Sequence, residues 1–110
     1  MSTEFAGTLV ERILIEKPVA TRNALGLQEN GWEPVCRCLA SVVLEGVGPE
    51  SEAMALSAMP RFRVTIRKRE GIAIDQRVDW KGRLMMIRQL LDDPKAKDRI
   101  TLRCEEVRSQ

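Results

Sequence analysis

Histidine is absent from the 110 residues, and so is tyrosine. The first absence removes the commonest general base at neutral pH and the commonest zinc ligand. A Ser-His or Cys-His nucleophile pair therefore cannot form within one chain. The glycines form neither of the phosphate-cradling loop patterns of nucleotide enzymes. An enzyme is not expected, and no cofactor is. Aromatic side chains amount to two Trp and two Phe, few for the stacking platforms that single-stranded nucleic acid prefers. No apolar run approaches the roughly 20 residues of a membrane-spanning helix. Met1-Ser2-Thr3-Glu4 lacks the basic-then-apolar layout of a signal peptide. The expectation is a protein made inside the cell, with no membrane partner.

Charge of one sign is also lacking. Eighteen Lys and Arg against 16 Asp and Glu leave a net charge of only +2, so the balance alone makes no case for nucleic acid or an acidic membrane. The three cysteines, an odd number with Cys36 and Cys38 two apart, do not make a disulfide framework, and reduced thiols are expected. At strand spacing Cys36 and Cys38 point the same way. With Cys104 they offer three thiolates but lack a fourth ligand, so buried small apolar residues are the better reading. Asp92, Asp93 and Asp98 read as a solvated acidic turn rather than a cation site.

What the sequence does contain is strand periodicity. Phe62, Val64 and Ile66 share one face while Arg63, Thr65, Arg67 and Arg69 share the other. Val78 and Trp80 repeat the alternation. Lys81-Gly82 supplies the tight reversal before a strand through Met85 and Ile87. These three strands predict a meander, with residues 99–106 as a fourth strand carrying Ile100, Leu102 and Cys104 on its dry side. Upstream, residues 8–17 predict a strand that Pro18 ends. Residues 19–31 read as a long connection, and residues 32–44 as a strand apolar enough to be covered on both sides. Pro49 and the acids after it open a short helix over 49–59. The expected fold is one mainly β domain over residues 1–110: a small barrel or sandwich of five to six antiparallel strands with long loops and that one inserted helix.

Arg61, Arg63, Arg67, Lys68 and Arg69 form the only dense basic cluster, read as a solvated face or a subunit contact. Met54, Leu56 and Met59 in the helix, with Met85 and Met86 in the sheet, suggest adaptable apolar surface; core packing is the better reading, and a docking helix at a subunit boundary the alternative. Trp32 and Trp80 suit either a core or an interface.

Gly7 with Leu9 and Ile13-Leu14-Ile15, Trp32 leading into Leu39-Ala40-Ser41-Val42, and Phe62-Arg63-Val64-Thr65-Ile66-Arg67 followed by Gly71-Ile72, Arg77-Val78, Gly82-Arg83 and Ile87 resemble the phage head-tail joining family, also called head closure or head-tail adaptor proteins. Met85 and Leu39 stand where members commonly carry an aromatic residue. The resemblance implies a structural subunit of a tailed phage, a prophage or a gene transfer agent. It implies a homo-oligomeric ring that meets the portal on one side and a tail or tail-terminator protein on the other. That ring closes the DNA-filled head, with packaged DNA passing through it. The implied location is the virion, and the host cytoplasm during assembly. The resemblance carries no catalytic, cofactor or metal residue. Arg63, Arg67, Arg69, Trp32, Met54 and Met59 are the candidate interface residues, and residues 19–31 and 46–60 the candidate docking arms. The rival is a small-barrel nucleic-acid-binding module using the Arg63, Arg67 and Arg69 face.

Overall fold

The computed structural model describes residues 7–47 and 59–107. Six strands run in chain order: β1 (Glu11–Arg22), β2 (Gln28–Val47), β3 (Pro60–Arg67), β4 (Arg77–Trp80), β5 (Arg83–Leu91) and β6 (Arg99–Glu106). They close in the order β1-β2-β3-β6-β5-β4, with β4 returning to β1 through Leu14↔Asp79, Ile15↔Val78 and Glu16↔Arg77. Every neighbouring pair is antiparallel. Closure removes the exposed edges an open sheet of this size would carry.

The inside of the barrel is the dry face the alternation predicts. Ile13 and Ile15 of β1, Ala40 of β2, Phe62, Val64 and Ile66 of β3, Val78 of β4, Met85 and Ile87 of β5, and Ile100, Leu102 and Cys104 of β6 form one buried cluster. Register locks these residues into rungs: Phe62 opposite Cys104, Val64 opposite Leu102, Ile66 opposite Ile100, and Val78 opposite Met85. A one-residue slip would turn each dry set outward, so the alternation itself specifies the pairing.

Three bulges bend the sheet into closure. They leave Val35 of β2, Glu45 of β2 and Arg88 of β5 as extra residues without a partner across the ladder. At the second, Gly46 adopts φ +142°, a backbone open to glycine and strained for any side chain. The β4–β5 reversal places Lys81 and Gly82 at φ 55° and 85°, with the Gly82 amide donating to Asp79 Oδ1 at 3.0 Å. Positive φ at both central residues matches the turn that suits the strand twist, as the Lys81-Gly82 pair predicts.

Four expectations need correction. Pro18 does not end β1, which continues to Arg22, and residues 19–31 are not a long connection. They form the outer part of a hairpin whose strands pair from Glu16↔Pro34 to Arg22↔Gln28. Nor do β3, β4 and β5 form a meander: β3 lies between β2 and β6, and only β4 and β5 are adjacent. The short β4 closes the barrel against β1 instead. Finally, β2 is not covered on both sides, since Leu39 and Val43 are 48% and 42% exposed. The predicted helix over 49–59, apart from Met59, lies outside the described residues, as does Met54.

A candidate assembly interface

Beyond Glu16, β1 has no neighbour but β2, and β2 meets β3 only from Ser41 onward. Residues 17–22 and 28–33 are thus a free two-stranded ribbon. At about 3.4 Å per residue it stands roughly 20 Å off the barrel. It contributes to the extended 54 × 38 × 25 Å shape. The bulge at Val35 marks where the ribbon leaves the barrel.

Both ends of this arm are fixed. At its base the Arg77 guanidinium lies over the Trp32 ring, 4.2 Å from the centroid, while Arg77 Nε donates to Glu16 Oε1 at 2.8 Å. One arginine of β4 therefore ties the two arm strands to the barrel through a stacking contact and a part-buried ion pair. At the tip, Asn23 Oδ1 accepts from the amides of Leu25 and Leu27 at 2.9 and 3.0 Å. The Gly26 amide donates to the Asn23 carbonyl at 3.0 Å, with Gly26 at φ +81°, and Arg22 Nη1 donates to the Gly26 carbonyl at 2.8 Å. Asparagine here performs the local side-chain-to-backbone bonding that favours turns. The turn holds Leu25 and Leu27 outward, 82% and 62% exposed. Two leucines fixed in water at the end of a braced arm are placed for a partner.

Asn23→Ala is expected to remove the two side-chain bonds to the tip, each contributing about 0.5–1.5 kcal/mol. Amide exchange at Leu25 and Leu27 should accelerate roughly tenfold while barrel amides are unchanged, which NMR-detected hydrogen exchange measures.

A second surface lies on the outside of β3 and β6. Arg61, Arg63 and Arg67 project from β3, with Arg63 opposite Arg103 and Arg67 opposite Arg99. Acids thread this ladder. The bulged Glu45 takes Arg103 at 3.3 Å and Arg63 at 4.0 Å, Arg88 meets Glu105 at 3.5 Å, and Asp98 takes Arg99 at 3.1 Å. Arg99, and beyond it Arg67, hold the Asp98 carboxyl below its ordinary range. Two guanidiniums sharing Glu45 leave a surplus of positive charge. The sequence places Arg69 on this face; β3 ends at Arg67, yet Arg67 and Arg69 still line one hollow with Leu9, Cys38 and Leu39. Along β2, beside the ladder, Val43 stands opposite Arg63 and Ser41 opposite Thr65, so the exposed Leu39 and Val43 form an apolar margin to the arginines.

The remaining sequence candidates divide. Trp32 is partly exposed at the base of the arm, and Met59 is half-buried just before β3. Met85 is fully buried in the core, as the better of its two sequence readings has it. Trp80 donates to Glu11 Oε1 at 2.9 Å and packs edge-on against Phe62 at 5.8 Å, under Arg83. The Trp80 and Lys81 bonds hold the Glu11 carboxyl below its ordinary range. Burial pushes the Cys104 thiol up to about 12. Burial, with Cys36 beside it, raises Cys38 to about 11. Both thiols are therefore kept neutral at physiological pH. Among the described residues no three Cys, Asp or Glu side chains group closely enough to hold a metal ion. Asp92 pairs with Lys68 at 2.8 Å, and Asp93 accepts from the Lys95 amide. No described helix is long and apolar enough to cross a membrane. Leu25 and Leu27 are the residues that sequence reasoning did not single out. Their signal was the Asn23 to Gly26 turn chemistry inside a stretch read as a loop.

The solution structure of a Shigella flexneri 2a protein resembles this chain with a TM-score of 0.70 and 29% identity, over 94% of this chain and 97% of that one. A chain in the virion of a native gene transfer agent particle shares the fold, with a TM-score of 0.62 and 16% identity over 87% and 93% of the two chains. No curated protein matches the sequence. The model of the phage head completion protein family matches residues 6–107, nearly the whole chain, and the protein belongs to that family.

Proposed function

We propose that the protein forms a homo-oligomeric ring that joins the portal-bearing head to the tail and closes the DNA-filled head of a tailed phage, prophage or gene transfer agent. Family membership gives a structural role in phage head assembly. The observation that carries the finer reading is the braced arm, which presents Leu25 and Leu27 to solvent. An ordered hydrophobic tip held off a closed barrel suits a subunit that docks on neighbours, and heterologous contacts of that kind close into rings. In this reading the portal lies on one side of the ring and a tail or tail-terminator protein on the other. The protein waits in the host cytoplasm until heads are filled and then resides in the virion. Its work is mechanical rather than catalytic.

The arginine ladder supports a second reading, a nucleic-acid-binding barrel, and packaged DNA is the natural ligand. Against it, the ladder is threaded by Glu45, Glu105 and Asp98, and neither Trp32 nor Trp80 stands on β3 or β6.

Purified protein mixed at high concentration with DNA-filled, tailless heads carrying the portal is the test. Electron microscopy should show a ring at the portal vertex, and those heads should retain DNA that untreated heads lose. Absence of any ring or portal complex overturns the reading. A salt-dependent shift with free duplex or single-stranded DNA, lost on Arg67→Glu with Arg69→Glu and unaccompanied by head attachment, favours the rival.

A further inference from the structure

The arm and the β2–β3 face of the barrel are complementary surfaces within one sequence. Alternation along β2 puts Glu29, Gly31 and Glu33 on one side of the ribbon, opposite Thr21, Val19 and Lys17 of β1. Leu27 continues that series toward the tip. Among the described residues Glu29 and Glu33 form no ion pair; Glu29 accepts from Asn23 Nδ2 at 3.2 Å. Gly31 carries no side chain, and Val19 across from it, with Cγ2 3.9 Å from where a Cβ on Gly31 would stand, occupies the middle of this side. The side therefore offers apolar tip, acid, valine, acid, with Lys17 of β1 across from Glu33.

The outside of β2 and β3 offers the converse. Arg61, Arg63 and Arg67 repeat at strand spacing, and Leu39 and Val43 run alongside at the same spacing. Glu29 and Glu33, Arg63 and Arg67, and Leu39 and Val43 each stand four residues apart on their strands, roughly 13.6 Å. Neither surface is complementary to itself: the arm pairs acid with leucine, the barrel face arginine with leucine and valine.

We propose that the arm of one copy lies along the β2–β3 face of the next. Glu29 and Glu33 meet the arginines of β3, while Leu25 and Leu27 cover the exposed Leu39 and Val43. This inference rests on the reading that copies assemble on the head, and it names the surfaces they use. The contact is heterologous, each copy giving an arm and receiving one, so it propagates around a ring and leaves no copy unpaired. Charge sets the register and rejects the wrong strand, and the apolar tip supplies the burial.

Charge exchange tests it. In the first variant Glu29→Arg and Glu33→Arg make the arm basic. In the second Arg63→Glu and Arg67→Glu make the face acidic. The altered positions are exposed, so the first variant should melt with the parent, while the second loses the Arg63–Glu45 pair and should melt a few degrees lower yet stay fully folded at the assay temperature. Copies bound per head are counted by sedimentation with portal-bearing heads. Each variant alone should bind at least about tenfold fewer copies than the parent, because like charges then face each other at every junction. An equal mixture of the two should recover to within about threefold, since the basic arm of one fits the acidic face of the other around an alternating ring. Failure of the unaltered protein to attach overturns the ring reading and this inference with it. Attachment of the unaltered protein with equal attachment of either variant alone overturns this inference and leaves the ring reading standing. So does a mixture that does not recover, which would place Glu29 and Glu33 against the portal instead of a second copy.

Discussion

Leu25→Asp combined with Leu27→Asp is expected to leave the melting temperature within about 2 °C of the parent and to reduce head-bound copies by roughly a hundredfold or more. The two halves of that result have separate causes. Leu25 and Leu27 are 82% and 62% exposed, and the turn beneath them is held by Asn23 and the backbone rather than by their side chains. Replacing them removes no packing from the folded monomer, and exposed substitutions of this kind usually shift stability by less than about 0.5 kcal/mol. Covering a leucine is worth about 1.5–3 kcal/mol. Two leucines therefore contribute roughly 3–6 kcal/mol to a contact, a factor of about 10² to 10⁴ in affinity. Aspartate forfeits that gain and adds the cost of desolvating a carboxylate. Circular dichroism melting and sedimentation with portal-bearing heads read the two halves independently. A variant that melts with the parent and still attaches at full level would show that the tip stays in water after assembly.

The division between what the residues revealed and what they concealed follows a physical line. Where one side of a strand is dry and the other wet, the period of two is visible. Phe62 to Ile66, Val78, Ile100 to Cys104 and the Lys81-Gly82 reversal were accordingly legible. The arm has no dry side. Its residues from Lys17 to Glu33 are exposed or only partly covered on both faces, so no hydrophobic alternation marks them as strand. Pro18 and Gly31 then argued for a loop, although both are tolerated in a ribbon whose strands have a neighbour on one side only. Only the local chemistry of Asn23 and Gly26 announced a turn there. Strand adjacency was hidden for a different reason. The alternation of β3, β4 and β5 reads the same in a meander as in a barrel where β4 pairs with β1, and the difference lies in contacts between residues more than sixty positions apart, such as Arg77 with Glu16. The arginine side of β3 was legible as a face. That Glu45 holds Arg63 of β3 together with Arg103 of β6 depends on a bulge, which sequence periodicity does not mark.

Leu102→Ala should be the most damaging conservative change in the barrel. Leu102 is fully buried and β6 lies between β3 and β5, so the side chain stands in register with Val64 on one side and Leu90 on the other. With neighbours on both flanks pinned by their ladders, the wall cannot collapse into the space left behind. Truncation therefore loses both the transfer free energy and the contacts around the cavity, about 2–5 kcal/mol. Domains of this size have about 5–15 kcal/mol in total, and each kcal/mol lost lowers the melting temperature by about 4–8 °C. A fall of roughly 10–30 °C is expected, against a few degrees for Leu102→Met, which nearly conserves volume. A fall below about 5 °C would mean that the rung between β3 and β5 is loosely packed and that closure of the barrel is held by its hydrogen-bonded ladders rather than by its interior. The same variant separates folding from docking: its attachment to heads should follow its folded fraction as temperature rises, whereas the Leu25 and Leu27 variant should fail to attach while fully folded.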